Sequence, residues 1–176
     1  HKRLREYPIT GGPSVAAVST YDSKLKELGL KLLNSLNWHG VAMVEFKKDL
    51  RDEKFKLMEV NPKFWGSLDL AIASGVDFPN LTVKMATNEF FEPVFEYATG
   101  VKFRWLFPGD FLHFLANPNS YKNFIGDFFD ENTKNNVWLG DIKPNLIQLY
   151  STVPNVISVI KNGKLKYPHG KPEVNS

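Results

Sequence analysis

The stretch MEVNPKFWGS, residues 58–67, decides the fold because it carries an acid and an amide two positions apart, followed by a proline. Glu59 and Asn61 end a β-prone run, and their side chains share one face because side chains alternate along a strand. Pro62 lacks a backbone N–H, so we expect the strand to end there and a helix to begin at Gly66. The surroundings of Glu59 then depend on which strand lies beside it.

The neighbouring strand is supplied by the β-rich run VAMVEFKK, residues 41–48, which the charged segment DLRDE separates from the run containing Glu59. Two such runs joined by a short charged loop predict an antiparallel hairpin. We expect the turn to centre on Asp52, which fixes the register of the two strands. The predicted cross-strand pairs are Met43 with Asn61, Glu45 with Glu59, and Lys47 with Leu57.

The pairing of two acids predicts a metal site. Two carboxylates directly opposite each other destabilise a strand pair unless something lies between them. Mg²⁺ is commonly bound by one or two carboxylates together with substrate phosphates and water. We therefore predict Glu45, Glu59 and Asn61 as metal ligands. The alternative is an ordinary solvent-facing acid pair whose charge Lys47 and Lys63 neutralise.

The composition is that of a soluble globular protein and excludes several kinds of site. Of 176 residues, 43% are hydrophobic and 23% are charged. The absence of cysteine excludes disulfides, thiolate zinc sites and a cysteine nucleophile. A net charge of +3, spread over both ends, is too weak to indicate nucleic-acid binding. No apolar run is long enough to span a bilayer, and neither His113 nor His169 has partners at metal-ligand spacing.

The remaining pattern predicts an α+β fold in which an antiparallel sheet has flanking helices. Leucines at positions 25, 28, 32 and 36 share one helical face, and Asp22 or Ser23 can cap the start of that helix. A later helix is predicted after Pro79, with Asn80 as its cap.

The pattern loosens in the last part of the chain, so we predict two domains, 1–90 and 91–176. A short helix is predicted to begin at Pro108, and the tail is expected to be a mixed region. The aromatic residues between Phe103 and Phe129 are expected to form the core of this C-terminal part.

The segment GVAMVEF, followed by MEVNPKFWGSLDLAIASGVDFP, resembles the ATP-grasp superfamily and, within it, the carboxylate–amine ligase and carbamoyl-phosphate-synthase-like branch. The spacing of fourteen positions between Glu45 and Glu59 is part of the likeness. The resemblance implies that Glu45, Glu59 and Asn61 hold Mg²⁺ (or Mn²⁺) ions on the phosphates of ATP. Lys63 stands where the family usually has arginine, and lysine cannot make the planar bidentate fork.

The opening HKRLREYPITGGPS resembles the strand and loop that precede the first helix in the same branch. By that resemblance Arg3, with His1 or Arg5, faces the nucleotide and the acyl substrate. The same likeness implies a mobile substrate loop. Its expected members are Gly11, Gly12 and Ser14.

The resemblance also suggests roles at the end of the hairpin. Arg3 and Lys63 are the expected catalytic residues, because a cation there can stabilise the transferring phosphoryl group or orient the carboxylate. Gly66 and Ser67 can offer backbone N–H groups to the nucleotide at a helix start. The alternative for this pair is an ordinary N-cap.

Taken with the resemblance, the residues predict a fragment of an ATP-dependent ligase. It would activate a carboxylate as an acylphosphate with MgATP and join it to an amine or similar nucleophile. We expect the C-terminal lobe of an ATP-grasp fold plus a small mixed extension, cytoplasmic, with the N-terminal remainder of the same protein supplying the adenine-binding lobe. The expected partners are small carboxylate and amine substrates, without nucleic acid or membrane; a homodimer is left open. The alternative is a non-catalytic binding or interaction module.

Overall fold

The computed structural model describes residues 1–137 and 140–168, and these residues form two compact units. The first unit joins His1–Ser19 to the described residues from Gly100 onward, and the second unit is Thr20–Thr99. The predicted two-domain division differs from these limits and stays a prediction. The first unit is discontinuous in sequence because it uses both ends of the chain.

The described residues contain six strands and six α-helices, each numbered in chain order. The strands are β1 (Lys2–Glu6), β2 (Ser14–Val18), β3 (Met43–Lys48), β4 (Phe55–Asn61), β5 (Lys102–Arg104) and β6 (Thr133–Asn135). The helices are α1 (Ser23–Ser35), α2 (Leu68–Ala73), α3 (Phe78–Ala86), α4 (Phe111–Ala116), α5 (Tyr121–Gly126) and α6 (Lys143–Lys161). Small sheets with flanking helices confirm the predicted mixed α and β class.

The first unit is built on a sheet with the strand order β1-β2-β5-β6. The first three strands pair antiparallel, but β5 and β6 are parallel, which departs from the antiparallel prediction. A parallel pair needs a crossover connection, and here the chain between the two strands contains α4 and α5. The central strand β2 forms the core of the sheet, with Val15, Ala16 and Ala17 buried.

Two aspartates cap two of the helices of the second unit, α1 and α3. Oδ1 of Asp22 accepts hydrogen bonds from the backbone N–H groups of Lys24 and Leu25, at 2.9 and 3.0 Å, which confirms Asp22 as the cap of α1. The predicted Asn80 cap of α3 is wrong. Oδ1 of Asp77 accepts from the backbone N–H of Asn80 at 2.9 Å, so the helix starts earlier and includes proline in its first turn.

The C-terminal part is more helical than predicted. The helix expected from Pro108 begins at Phe111, after an irregular turn over Leu106–Asp110. The tail expected to be mixed forms the single helix α6, of 19 residues. Within the described parts of the chain, no helix combines the length and apolarity needed to cross a membrane. His169 lies outside the described residues.

The aromatic residues of this part form the expected core only in part. Phe103 and Phe124 are buried, and the ring of Phe124 stacks on that of Phe114 at 4.6 Å between centroids. Phe129, in contrast, is 83% exposed. Charged side chains are buried in this unit as well.

An interior ion cluster, formed by Arg5, Arg104, Asp110 and Asp127, lies in the first unit and is nearly fully buried. Nε of Arg5 donates to Oδ1 of Asp110 at 2.6 Å, and its Nη2 donates to Oδ2 of Asp127 at 2.6 Å. Nη2 of Arg104 forms an ion pair with Oδ2 of Asp110 at 2.9 Å. Burial disfavours the charged form of Arg5, but the hydrogen bonds and charges of Asp110 and Asp127 outweigh it and raise the pKa.

Candidate functional site

The carboxylates predicted to face each other do so in the structure. In the β3–β4 pair, Glu45 lies opposite Glu59, and Met43 lies opposite Asn61. The predicted register is therefore confirmed at the end of the hairpin where the candidate ligands lie. Side chains of directly opposed residues project from the same face, and Asn61 shares that face because it is two positions from Glu59.

Beyond Glu45 the register shifts by one residue. The predicted pairing of Lys47 with Leu57 is wrong, because Lys47 lies opposite Lys56. The shift comes from a β-bulge in which Met58 is the extra residue of β4. Bulges bend a strand and increase its twist, and they occur frequently beside active sites, where they redirect side chains.

The three predicted metal ligands are accessible from solvent. Glu59 is exposed, and Glu45 and Asn61 are half-buried. Two carboxylates and one amide oxygen are donors that suit Mg²⁺, which takes its remaining ligands from phosphates and water. Among residues 1–137 and 140–168 no group of three or more His, Cys, Asp or Glu side chains is arranged to hold a metal ion. A metal at the hairpin would therefore depend on Asn61 and on oxygen atoms from a bound nucleotide.

The segment after β4 leaves the sheet as predicted but forms its helix later. The strand ends at Asn61, followed by Pro62, and Lys63 is exposed. Helix α2 begins at Leu68 rather than at Gly66, and it is only 6 residues long. Ser67 is the N-cap residue and is buried, but its side chain makes no capping hydrogen bond. The nucleotide role of this turn stays a prediction.

The predicted site residues of the N-terminal strand belong to the other compact unit. His1 precedes β1 and Arg3 lies on it. Nη1 of Arg3 donates to Oε2 of Glu6 at 3.2 Å and to the carbonyl oxygen of Gly12 at 3.1 Å. Arg5 is nearly fully buried and hydrogen-bonds to two buried aspartates, and its role at the nucleotide site stays a prediction.

The predicted substrate loop packs closely against the residues that precede it. A Cβ atom added at Gly12 would lie 2.3 Å from the carbonyl carbon of Tyr7, so only glycine fits there. The backbone N–H of Tyr7 donates to the carbonyl oxygen of Pro13 at 3.2 Å. Ser14 belongs to β2 instead of the loop. Gly11 has φ of +121°, a backbone conformation that favours glycine.

A cavity of about 490 Å³ in the first unit was not predicted from sequence. It brings Arg3 together with His113 and Lys166, which are far apart in the chain. The sequence around His113 and Lys166 gives no sign that they lie close together. No local pattern could have joined these residues, because β1, α4 and the segment after α6 bring them together.

Comparison with known proteins identifies the family. The family model described as "ATP-grasp in the biosynthetic pathway with Ter operon" matches residues 10–107, more than half of the chain. The matched range includes the whole β3–β4 hairpin with Glu45, Glu59 and Asn61. Neither the search of curated proteins nor the search of solved structures gave a significant match. On the strength of this match, the chain belongs to the ATP-grasp family.

Proposed function

We propose that this protein is an ATP-dependent ligase that activates a carboxylate as an acylphosphate and transfers the acyl group to an amine or similar nucleophile. One observation carries the proposal. Glu45 and Glu59 are direct cross-strand partners, with Asn61 on the same face, inside the range that matches the family. The match supports an ATP-grasp ligase in a biosynthetic pathway, and the family resemblance supplies the proposed reaction and its substrates.

The donor set fits a hard cation. Carboxylate oxygens of Glu45 and Glu59 and the amide oxygen of Asn61 would hold Mg²⁺, and like-charge repulsion across the strand pair would be relieved at the same time. Bound there, Mg²⁺ supplies positive charge next to the phosphates. The bulge at Met58 supports the assignment, because a bulge beside paired acids can direct both toward one ligand.

The cations of the chain would act on the transferring group. Lys63 is exposed directly after the ligand strand, so its ammonium can approach a phosphate or a carboxylate as a point charge. We give Arg3 the same role from the family resemblance alone. Gly66 and Ser67 would contribute backbone N–H groups. The acylphosphate would then react with the incoming amine, releasing phosphate and requiring no covalent enzyme intermediate.

The experiment replaces one ligand oxygen without changing the shape of the side chain. In the full-length protein, Glu59→Gln should lower ADP release by at least about a hundredfold, because removing a charged ligand from the metal weakens the stabilisation of the transition state. ADP release is measured with a panel of carboxylates and amines in the presence of MgATP.

The matched control is Glu53→Gln, which removes an exposed acid from the turn of the same hairpin. It should leave ADP release within about twofold of the wild type, as an exposed ion pair contributes little. Turnover of Glu59→Gln equal to that of the control would contradict the proposal. No turnover of the wild type with MgATP would favour the alternative, a non-catalytic binding module.

A further inference from the structure

The cavity of the first unit has the size of a small-molecule site. Its volume is about 490 Å³, within the range of ligand pockets in proteins. Its lining combines polar side chains with an apolar part. The polar side chains include Arg3, Glu6, His113 and Lys166, and the apolar side chains include Leu4 and Ile9.

The wall that carries Lys166 is fixed to the end of β1. The hydroxyl group of Tyr7 donates to the carbonyl oxygen of Leu165 at 3.0 Å, and partial burial raises the pKa of Tyr7. This hydrogen bond joins residues that are 158 positions apart in sequence. The segment with Lys166 is therefore held against the strand that lines the other side of the cavity.

The lining has an excess of positive charge. Arg5 also lines the cavity, but Asp110 and Asp127 neutralise it within the interior ion cluster. Glu6 is the one acid among the lining side chains of the described chain, and it accepts a hydrogen bond from Arg3 at 3.2 Å. Lys166 then adds a charge that this pair does not offset. A negatively charged ligand is favoured for that reason.

His113 adds an oriented hydrogen-bond acceptor. Nδ1 of its ring lies 2.7 Å from the carbonyl oxygen of Glu6, and the side chain is 8% exposed. A carbonyl oxygen only accepts, so Nδ1 carries the proton and donates. In the neutral ring Nε2 is then the acceptor, which suits a ligand with an N–H or O–H group.

We propose that the first unit carries a binding site for an organic carboxylate that has an apolar body and an N–H or O–H donor. Lys166 and Arg3 attract the carboxylate, Nε2 of His113 accepts from the donor, and Leu4 and Ile9 contact the apolar part. Arg3 is the residue that this site shares with the proposed ligase reaction, but ligand binding at the site requires neither nucleotide nor metal. All of the residues that line the cavity lie outside residues 10–107, the range matched by the family model.

The test uses N-acetyl-L-leucine as the probe, titrated by calorimetry into the full chain without ATP or Mg²⁺. This probe has a carboxylate, an apolar body and an N–H donor. We expect a Kd below about 1 mM, with the methyl ester binding at least about tenfold more weakly because it lacks the charge. 4-Methylpentanoate, which lacks the N–H group, should bind several-fold more weakly than the probe.

Two substitutions connect binding to the cavity. Lys166→Gln should weaken probe binding by about tenfold, whereas Lys164→Gln, a matched control on the same exposed segment that does not line the cavity, should leave it unchanged. His113→Asn keeps a donor for the carbonyl oxygen of Glu6 but removes Nε2. It should abolish the preference for the probe over 4-methylpentanoate.

Three results would overturn the proposal. The first is absence of probe binding at about 10 mM. The second is equal binding of the acid and its methyl ester, and the third is equal binding by the Lys166→Gln and Lys164→Gln variants. Inorganic phosphate is titrated in parallel, and binding of phosphate without the probe would indicate a phosphate site in place of the carboxylate site. Because Lys166 is exposed, Lys166→Gln should not disturb folding, so this variant still tests the site if His113→Asn lowers stability.

Discussion

Charged side chains are arranged in opposite ways in the two units of the molecule. In the interior ion cluster, both acids hydrogen-bond to the guanidinium of Arg5, and all four charged side chains are nearly fully buried. In the β3–β4 hairpin, two acids face each other across the strands, where solvent reaches them. Elsewhere in the same hairpin an acid is paired with a cation, since Nζ of Lys56 lies 2.7 Å from Oδ2 of Asp52.

The difference separates charges that are neutralised inside the protein from charges that solvent reaches. A buried charge without a partner is costly, so the interior cluster is closed within the protein. An exposed pair of like charges costs only a fraction of this, so a chain can retain it when an external ion supplies the missing charge. Each of the following predictions alters one side of this comparison.

The largest effect is expected in the interior cluster. Arg5→Met should lower the free energy of unfolding by about 3–5 kcal/mol, because it removes the guanidinium to which both buried aspartates hydrogen-bond and leaves the cluster with an excess of negative charge. Arg3→Met, on the same strand, removes an exposed partner of Glu6 and should cost less than about 1 kcal/mol. Urea unfolding followed by circular dichroism measures both, and equal losses would show that the buried cluster does not stabilise the unit.

A smaller effect is expected at the hairpin, and it should depend on metal. Mg²⁺ at about ten times its Kd should stabilise the wild type by about 1.4 kcal/mol. Glu45→Gln should lose this response while being neutral or slightly more stable without metal, because the repulsion with Glu59 is gone. Glu53→Gln is the control and should respond to Mg²⁺ as the wild type does. An unchanged response of Glu45→Gln would exclude metal binding by the opposed acids.

The smallest effect is expected at the edge of the first unit and depends on pH. The hydrogen bond from Lys102 lowers the pKa of Asp130, assisted by the backbone N–H of Asn132. A lowered pKa in the folded state gives stability above the ordinary carboxyl range that is lost as pH falls through the lowered value. The stability difference between the wild type and Asp130→Asn should therefore shrink on acidification. Urea unfolding at several acidic pH values tests this, with Glu131→Gln as control; a constant difference would contradict it.

The hairpin shows how far sequence reasoning reaches. Alternation and loop length were enough to place Glu45 opposite Glu59, because both are local properties of two adjacent runs. The bulge at Met58 was missed, since nothing in its sequence marks it: the ladder absorbs an extra residue for reasons of twist and packing. The error affected the pairs toward the turn and left the candidate ligands correctly opposed.

The first unit shows where sequence reasoning ends. Arg5 and Asp127 are 122 positions apart, and no periodicity connects them. The predicted cap of α3 was wrong for a different reason. Asp77 and Asn80 are both good cap residues, and only the backbone geometry decides between them. The proximity of such residues, including those that line the proposed carboxylate site, could be seen only in the folded structure.

The discontinuity of the first unit sets the order in which the chain can fold during synthesis. The hydroxyl group of Ser19 at the end of β2 accepts a hydrogen bond from the backbone N–H of Val101, across 82 positions. At typical rates of translation, β2 waits about 4–16 s for its partner strand to be made. During that interval Thr20–Thr99 has been completed and can fold. The unit made first in sequence is therefore finished last, and its buried apolar strand stays exposed to chaperones and to aggregation until β5 arrives.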